Sequence, residues 1–141
     1  MRTLLIPALS IIFLTSAHGL LVAQTAQPEC HPPQQVRQVA ELFFGRDIGG
    51  RPGVSEAAWA RFVARELTLR FPDGLTITDA HGQRRDPSGG ATEHELSKRV
   101  EIVLSGSGDD RARLEAVVAA YKREFHQSSV LVIVQTACVS F

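Results

Sequence analysis

The chain has 141 residues, 44% of them hydrophobic and 21% charged. That balance belongs to an ordinary globule of one domain and excludes a disordered or membrane-embedded chain. Lys and Arg number 15 against 15 Asp and Glu, so no net field draws the chain to nucleic acid or to an anionic membrane. No nucleic-acid partner is expected.

At the N-terminus, Arg2 precedes an apolar stretch from Leu4 to Leu14, followed by Thr15, Ser16, Ala17 and Gly19. This is the pattern of a secretory signal peptide over residues 1–25. Ala17-His18-Gly19 and Ala23-Gln24-Thr25 offer two cleavage sites, after residue 19 or after residue 25. Pro7, Ser10, Thr15, Ser16 and His18 interrupt the stretch before the roughly 20 apolar residues of a span are reached, so no membrane span is expected once the leader is removed. Gln27-Pro28-Glu29 before Cys30 lacks the small residues of a lipid-attachment box. The expected location is therefore exported, periplasmic or extracellular.

Two cysteines remain after the leader, Cys30 and Cys138, and export places them where disulfides persist. Their pairing closes a loop of about 100 residues, worth about 4.7 kcal/mol in the chain-entropy picture. A metal site on Cys30 and His31 lacks further ligands at defined spacing, and neither a metal nor a cofactor is expected.

Residues 26–35 form an extended arm rich in Gln and Pro, and a single α+β domain fills residues 36–141. Val36 to Phe44 predicts a strand apolar on both sides, with Val36, Ala40, Leu42 and Phe44 on one face and Val39 and Phe43 on the other. A Gly-rich loop, Gly49-Gly50-Arg51-Pro52-Gly53, leads to Ser55 as N-cap of a helix with Trp59, Phe62, Val63 and Leu67 on one stripe. Phe71-Pro72-Asp73-Gly74 opens a second strand, Leu75 to Ala80. Residues 79–96 are polar and turn-rich, which suggests a hairpin excursion or a loop. Lys98 to Leu104 alternates as a third strand. Asp109 or Asp110 caps a second helix, in which Leu114, Val117, Val118, Tyr121 and Phe125 form the cleanest helical stripe in the chain. Val130 to Val134 opens the last strand.

Strand, helix, strand, strand, helix, strand is the order of a ferredoxin-like βαββαβ sandwich, a four-stranded antiparallel sheet with two helices on one face. First and last strands are antiparallel neighbours in it, which brings Cys30 beside Cys138.

Glu41-Leu42-Phe43-Phe44-Gly45-Arg46, Trp59, Phe71-Pro72-Asp73-Gly74, Asp79-Ala80, Tyr121 and Cys138-Val139-Ser140-Phe141 stand in that order along the chain. Together they resemble the bacterial domain-of-unknown-function family 3574 over about Cys30 to Phe141. The resemblance implies an exported or envelope-associated protein and carries no activity. Gln83-Arg84-Arg85 departs from the family pattern, which has a tryptophan before the hairpin arginine.

The predicted topology gathers Arg46, Arg51, Ser55, Asp73, Ser105, Ser107 and the Gly106-x-Gly108 loop at one sheet edge, where two helix N-termini suit a carboxylate or phosphate. The plainer alternative has Ser55 and Asp109 capping their helices and Arg46 paired with Asp47 or Asp73. His31, His81, His94 and His126 read as solvated surface groups; Glu93-His94-Glu95 could supply ligands or an acid and base, but in a polar loop it too reads as solvated. Trp59 and Tyr121 lie on apolar stripes, as core aromatics or as the aromatics of a pocket between helices and sheet.

If Leu42, Ile102 and Ile133 face the helices, then Val39, Phe43, Val103 and part of the run Val130, Val132 and Val134 form an apolar opposite face. Either a homodimer packed sheet on sheet or the 79–96 excursion covers it. Two functions fit. One is a non-catalytic binding or interaction module with a small-molecule ligand or an envelope partner. The other is a small enzyme on a dimeric α+β barrel, acting on a small anionic or aromatic molecule.

Overall fold

A computed structural model describes residues 28–48, 51–85 and 89–141. The expected leader lies outside the described residues. The strand β1 (Gln35–Gly45) is followed by a two-residue ribbon, β2 (Asp47–Ile48) with β3 (Arg51–Pro52), and by the helix α1 (Glu56–Phe62), which runs on as a π-helical turn, Val63–Leu67. Then come β4 (Thr76–Arg85), β5 (Thr92–Val103), α2 (Asp110–Phe125) and β6 (Leu131–Val139). The main sheet has four strands in the order β4-β5-β1-β6, every neighbouring pair antiparallel. The protein is thus an α+β fold with a four-stranded antiparallel sheet and two helices.

β1 takes a central position because it is apolar on both sides. Ala40, Leu42 and Phe44 are fully buried on the helix side and Val39 is buried on the other. Both helices pack on the first of these faces: Trp59, Phe62 and Leu67 from the α1 segment and Leu114, Val117, Tyr121 and Phe125 from α2 join Val100, Ile102 and Leu104 of the third-strand segment in one core. Phe44 sits between the helices, its ring centroid 5.2 Å from Trp59, 6.0 Å from Phe62 and 4.7 Å from Tyr121. Ser55 caps α1 by accepting a hydrogen bond from the Ala58 N–H at 3.2 Å. Pro72 follows the helical segment, and Gly74 supplies the left-handed φ of 123° that turns the chain into β4.

The structure decides between the two alternatives for residues 79–96, in favour of a hairpin, and corrects two further expectations. Residues 79–96 are mostly strand: pairing continues from Asp79↔Lys98 through His81↔Leu96 to Arg85↔Thr92, so β4 and β5 project beyond the sheet as a long arm. An arm wet on both faces needs no apolar alternation, and that is why the pattern of its side chains is silent. In β6 it is Val132, opposite Leu42, that packs against the core, while Ile133 lies opposite Glu41 on the open face and is 41% exposed. A one-residue shift in a strand exchanges its faces. The open face is also less apolar than expected. Arg99 crosses it to pair with Glu41 and Glu101, both at 2.9 Å, leaving Phe43, Leu131 and Ile133 as its greasy part.

A disulfide joins Cys30 to Cys138 with Cα atoms 5.4 Å apart, where the start of β1 lies against the end of β6 through Val36↔Cys138. It closes 108 residues of chain and constrains the unfolded state accordingly. Replacing both cysteines with serine is expected to cost about 4 kcal/mol, read from the urea unfolding midpoint of oxidised protein. An unchanged midpoint would remove the crosslink from the stability of this fold.

Candidate functional site

Where β1 ends, its backbone is tied to α2, to β5 and to the linker after α2. The Tyr121 hydroxyl donates to the Gly45 carbonyl at 2.8 Å, the Arg46 N–H donates to the Leu96 carbonyl at 2.9 Å, and the Gln127 amide donates to the Asp47 carbonyl at 2.5 Å. The Asp47 N–H donates to Oε1 of Glu95 at 3.3 Å. Burial pushes the Tyr121 hydroxyl far above its ordinary range, with the charge of Glu95 adding to the effect and that of Arg46 opposing it, so the phenol is a permanent neutral donor.

Glu95 can lie here only because residue 45 is glycine. A Cβ on Gly45 would stand 2.2 Å from Oε1 of Glu95. The carboxylate therefore rests on bare backbone, on the open side of the sheet. Beside it opens a cleft of about 880 Å³ between the β4–β5 arm and the segment 126–129 that links α2 to β6. Arg84, Glu93, His94 and Glu95 line it from the arm, His126, Gln127, Ser128 and Ser129 from the linker, and Phe43, Ser97 and Leu131 from the sheet. Arg84 and Glu93, opposite each other in the hairpin, pair at 2.6 Å. His126 holds φ at 53°, the left-handed residue that ends α2 and starts the linker.

On the helix side of the same strand ends sits a charged cluster. Lys98, its side chain 8% exposed, reaches Asp79 at 2.5 Å and Glu56 at 3.0 Å. Arg46 reaches the other oxygen of Glu56 at 2.5 Å and donates from Nε and Nη2 to the Val54 carbonyl. The hydrogen bond from Lys98 is the main cause that holds the Asp79 and Glu56 carboxyls below their ordinary ranges, with Arg46 contributing at Glu56, and the same bonds raise the Lys98 ammonium.

The anticipated anion edge is not assembled. Gly45 lies opposite Ser97 and Val39 opposite Val103, so β1 and β5 run in opposite directions and the two helices start at opposite ends of the sheet. Arg46, Arg51 and Ser55 lie at one end. At the other, Ser105 and Ser107 are hydrogen-bonded into a cluster with Asp109, Asp110 and Arg113, where Asp110 accepts from the Gly106 N–H at 2.8 Å. Asp73 is exposed in the turn before β4, whose first residue pairs with Glu101. Arg46 is already neutralised by Glu56 and Ser55 is occupied as a cap. Trp59 and Tyr121 are buried in the aromatic core and do not line the cleft. Among the described residues no group of three or more His, Cys, Asp or Glu is placed to hold a metal.

Of the cleft residues, Glu93 and Glu95 stand in sequence as part of a solvated tract that could alternatively supply ligands or an acid and base, while Asp47 and Gln127 carry no signal of a site. The spacing of Glu93 and Glu95 puts both on one strand face. What turns that face into a wall is the length of the arm.

The family model described as "Protein of unknown function (DUF3574)" matches residues 39–141. No curated protein gives a significant match. Among solved structures, a phage SAM lyase in complex with S-methyl-5'-thioadenosine is similar at 19% identity and a TM-score of 0.56, over 83% of this chain and 97% of that one. The same kind of lyase in its apo state is similar at 19% identity and a TM-score of 0.55, over 75% and 90% of the two chains. At such identity the likeness is one of fold.

The charged cluster sets a pH dependence. Glu56 and Asp79 have folded values below the ordinary 4.5 and 3.8, so the stabilisation they bring is full above those values and is lost as pH falls through the lowered ones. Lys98→Met removes the partner common to both. Urea midpoints followed from about pH 6 down to about pH 3 are expected to fall less steeply in the variant than in the parent, and parallel curves would show that the cluster is not coupled to folding.

Proposed function

The chain belongs to the DUF3574 family, and we propose from its own geometry that it is a non-catalytic binding module which takes a small polar molecule into the cleft between the β4–β5 arm and the linker 126–129. One observation carries this: the end of β1 is fixed from the core by Tyr121 and from the two walls by Gln127 and Glu95, so the cleft is pre-formed and needs no ordering on binding. A pre-organised concavity with converging polar groups is the usual form of a small-molecule site.

We further propose an exported protein whose leader, residues 1–25, is cleaved, leaving an arm at 26–35 and one domain over 36–141. A disulfide is compatible with an oxidising compartment, and no helix among the described residues is long and apolar enough to cross a membrane. With the β2–β3 ribbon taken as an insertion, the element order and the central position of β1 and β5 support the ferredoxin-like reading. A small enzyme on the same cleft is the second reading, favoured by the fold shared with a lyase that holds a nucleoside thioether.

Amide chemical shifts of the oxidised protein, recorded against mixtures of small polar molecules, test the proposal. Binders are expected to move Asp47, Glu95, Gln127 and Ser128 together, and Ser128→Trp, which fills the cleft from an exposed position, is expected to abolish those shifts without altering the fold. If no compound moves these residues, or if the tryptophan variant binds as before, the cleft is not the site. Turnover of a bound compound would select the enzyme over the binding module.

A further inference from the structure

A cleft with a uniform wall would accept many polar molecules, but this one is electrically lopsided. Among its described lining residues three carboxylates, Asp47, Glu93 and Glu95, face one guanidinium, Arg84, and that guanidinium is already spent on Glu93 at 2.6 Å. Two carboxylates are left without a cation. Glu95 is the better placed of them: it is half-buried, among the described residues its Oε1 receives only the Asp47 N–H at 3.3 Å, and the missing Cβ of Gly45 seats it against the backbone. A partly desolvated carboxylate with one weak neutral donor gains from a cationic partner, whose hydrogen bonds to it are shorter and stronger than neutral ones.

The second element is apolar. Phe43 of β1 and Leu131 of β6 are directly opposite residues in the antiparallel ladder and therefore share the face on which the cleft opens. Leu131 remains 57% exposed, which leaves a greasy strip on the sheet wall.

Resting on the small-molecule reading of the cleft, we infer that its ligand is an organic cation, a protonated amine joined to an apolar group, with the charge at Glu95 and the apolar part along Phe43 and Leu131. Anionic ligands are rejected by the same two carboxylates.

Phenethylamine, phenethyl alcohol and 3-phenylpropanoate share an aromatic tail and differ in charge, and their titration into the oxidised protein, followed by the amide shifts of Asp47 and Glu95, tests the inference. The amine is expected to bind at least about tenfold more tightly than the alcohol, and the acid not to bind. Glu95→Gln is expected to bring the amine to the level of the alcohol measured in the same variant. Gly45→Ala, which keeps the carboxylate but pushes it from its seat, is expected to weaken the amine in the same direction. Equal binding of amine and alcohol, binding of the acid, or an unaffected Glu95→Gln variant overturns cation selectivity while the cleft still binds small molecules. Absence of shifts with all three compounds overturns it as well, and the Ser128→Trp screen then decides separately whether the cleft binds anything.

Discussion

The ring of Phe44 and the hydroxyl of Tyr121 meet at the last two residues of β1, and this contact organises the molecule. Phe44 closes the core between both helices while its neighbour Gly45 presents a carbonyl to the Tyr121 hydroxyl. Each aromatic pair in this knot adds about 0.5–1.5 kcal/mol beyond the area it buries. The hydroxyl adds only about 1 kcal/mol net, yet without it a buried carbonyl stands unpaired. Hydrophobic burial thus fixes where the strand ends, and a single hydrogen bond fixes how its backbone leaves the sheet. Glu95, Asp47 and the cleft take their positions from that exit.

The two faces of the sheet treat charge differently at this end. On the helix side, Lys98 and Arg46 are matched by Glu56 and Asp79, a closed cluster that ties the start of α1 to β4 and β5. On the open side, a carboxylate is left with only one backbone donor. Because successive residues of β5 point to opposite faces, the difference between the clusters comes from alternate positions of one strand, Lys98 on one side and Glu95 and Ser97 on the other. A protein of neutral overall charge can in this way hold a local field of definite sign.

The α+β class, the buried stripe of α2 through Leu114, Val117, Tyr121 and Phe125, the pairing of Cys30 with Cys138 and the family were legible in the sequence, since each depends on periodicity, cysteine count or short motifs. The arm was not. Period-two alternation arises where one strand face is buried, and Ala80 to Arg85 with Thr92 to Leu96 pair outside the core. The grouping of Arg46 with Ser107 failed for another reason: it required the ends of β1 and β5 to coincide, whereas antiparallel neighbours end at opposite edges. Glu95 was hidden because its position depends on Gly45, a residue 50 places away that signals only by lacking a side chain.

The covalent crosslink makes the two ends of β1 unequal. Near Val36 the strand is pinned through Cys138; about 30 Å away, at Gly45, only hydrogen bonds and packing hold it. The crosslink therefore restrains the seam between β1 and β6 most at its Val36 end, and the geometry at the Gly45 end rests on the side chains of Tyr121, Gln127 and Glu95.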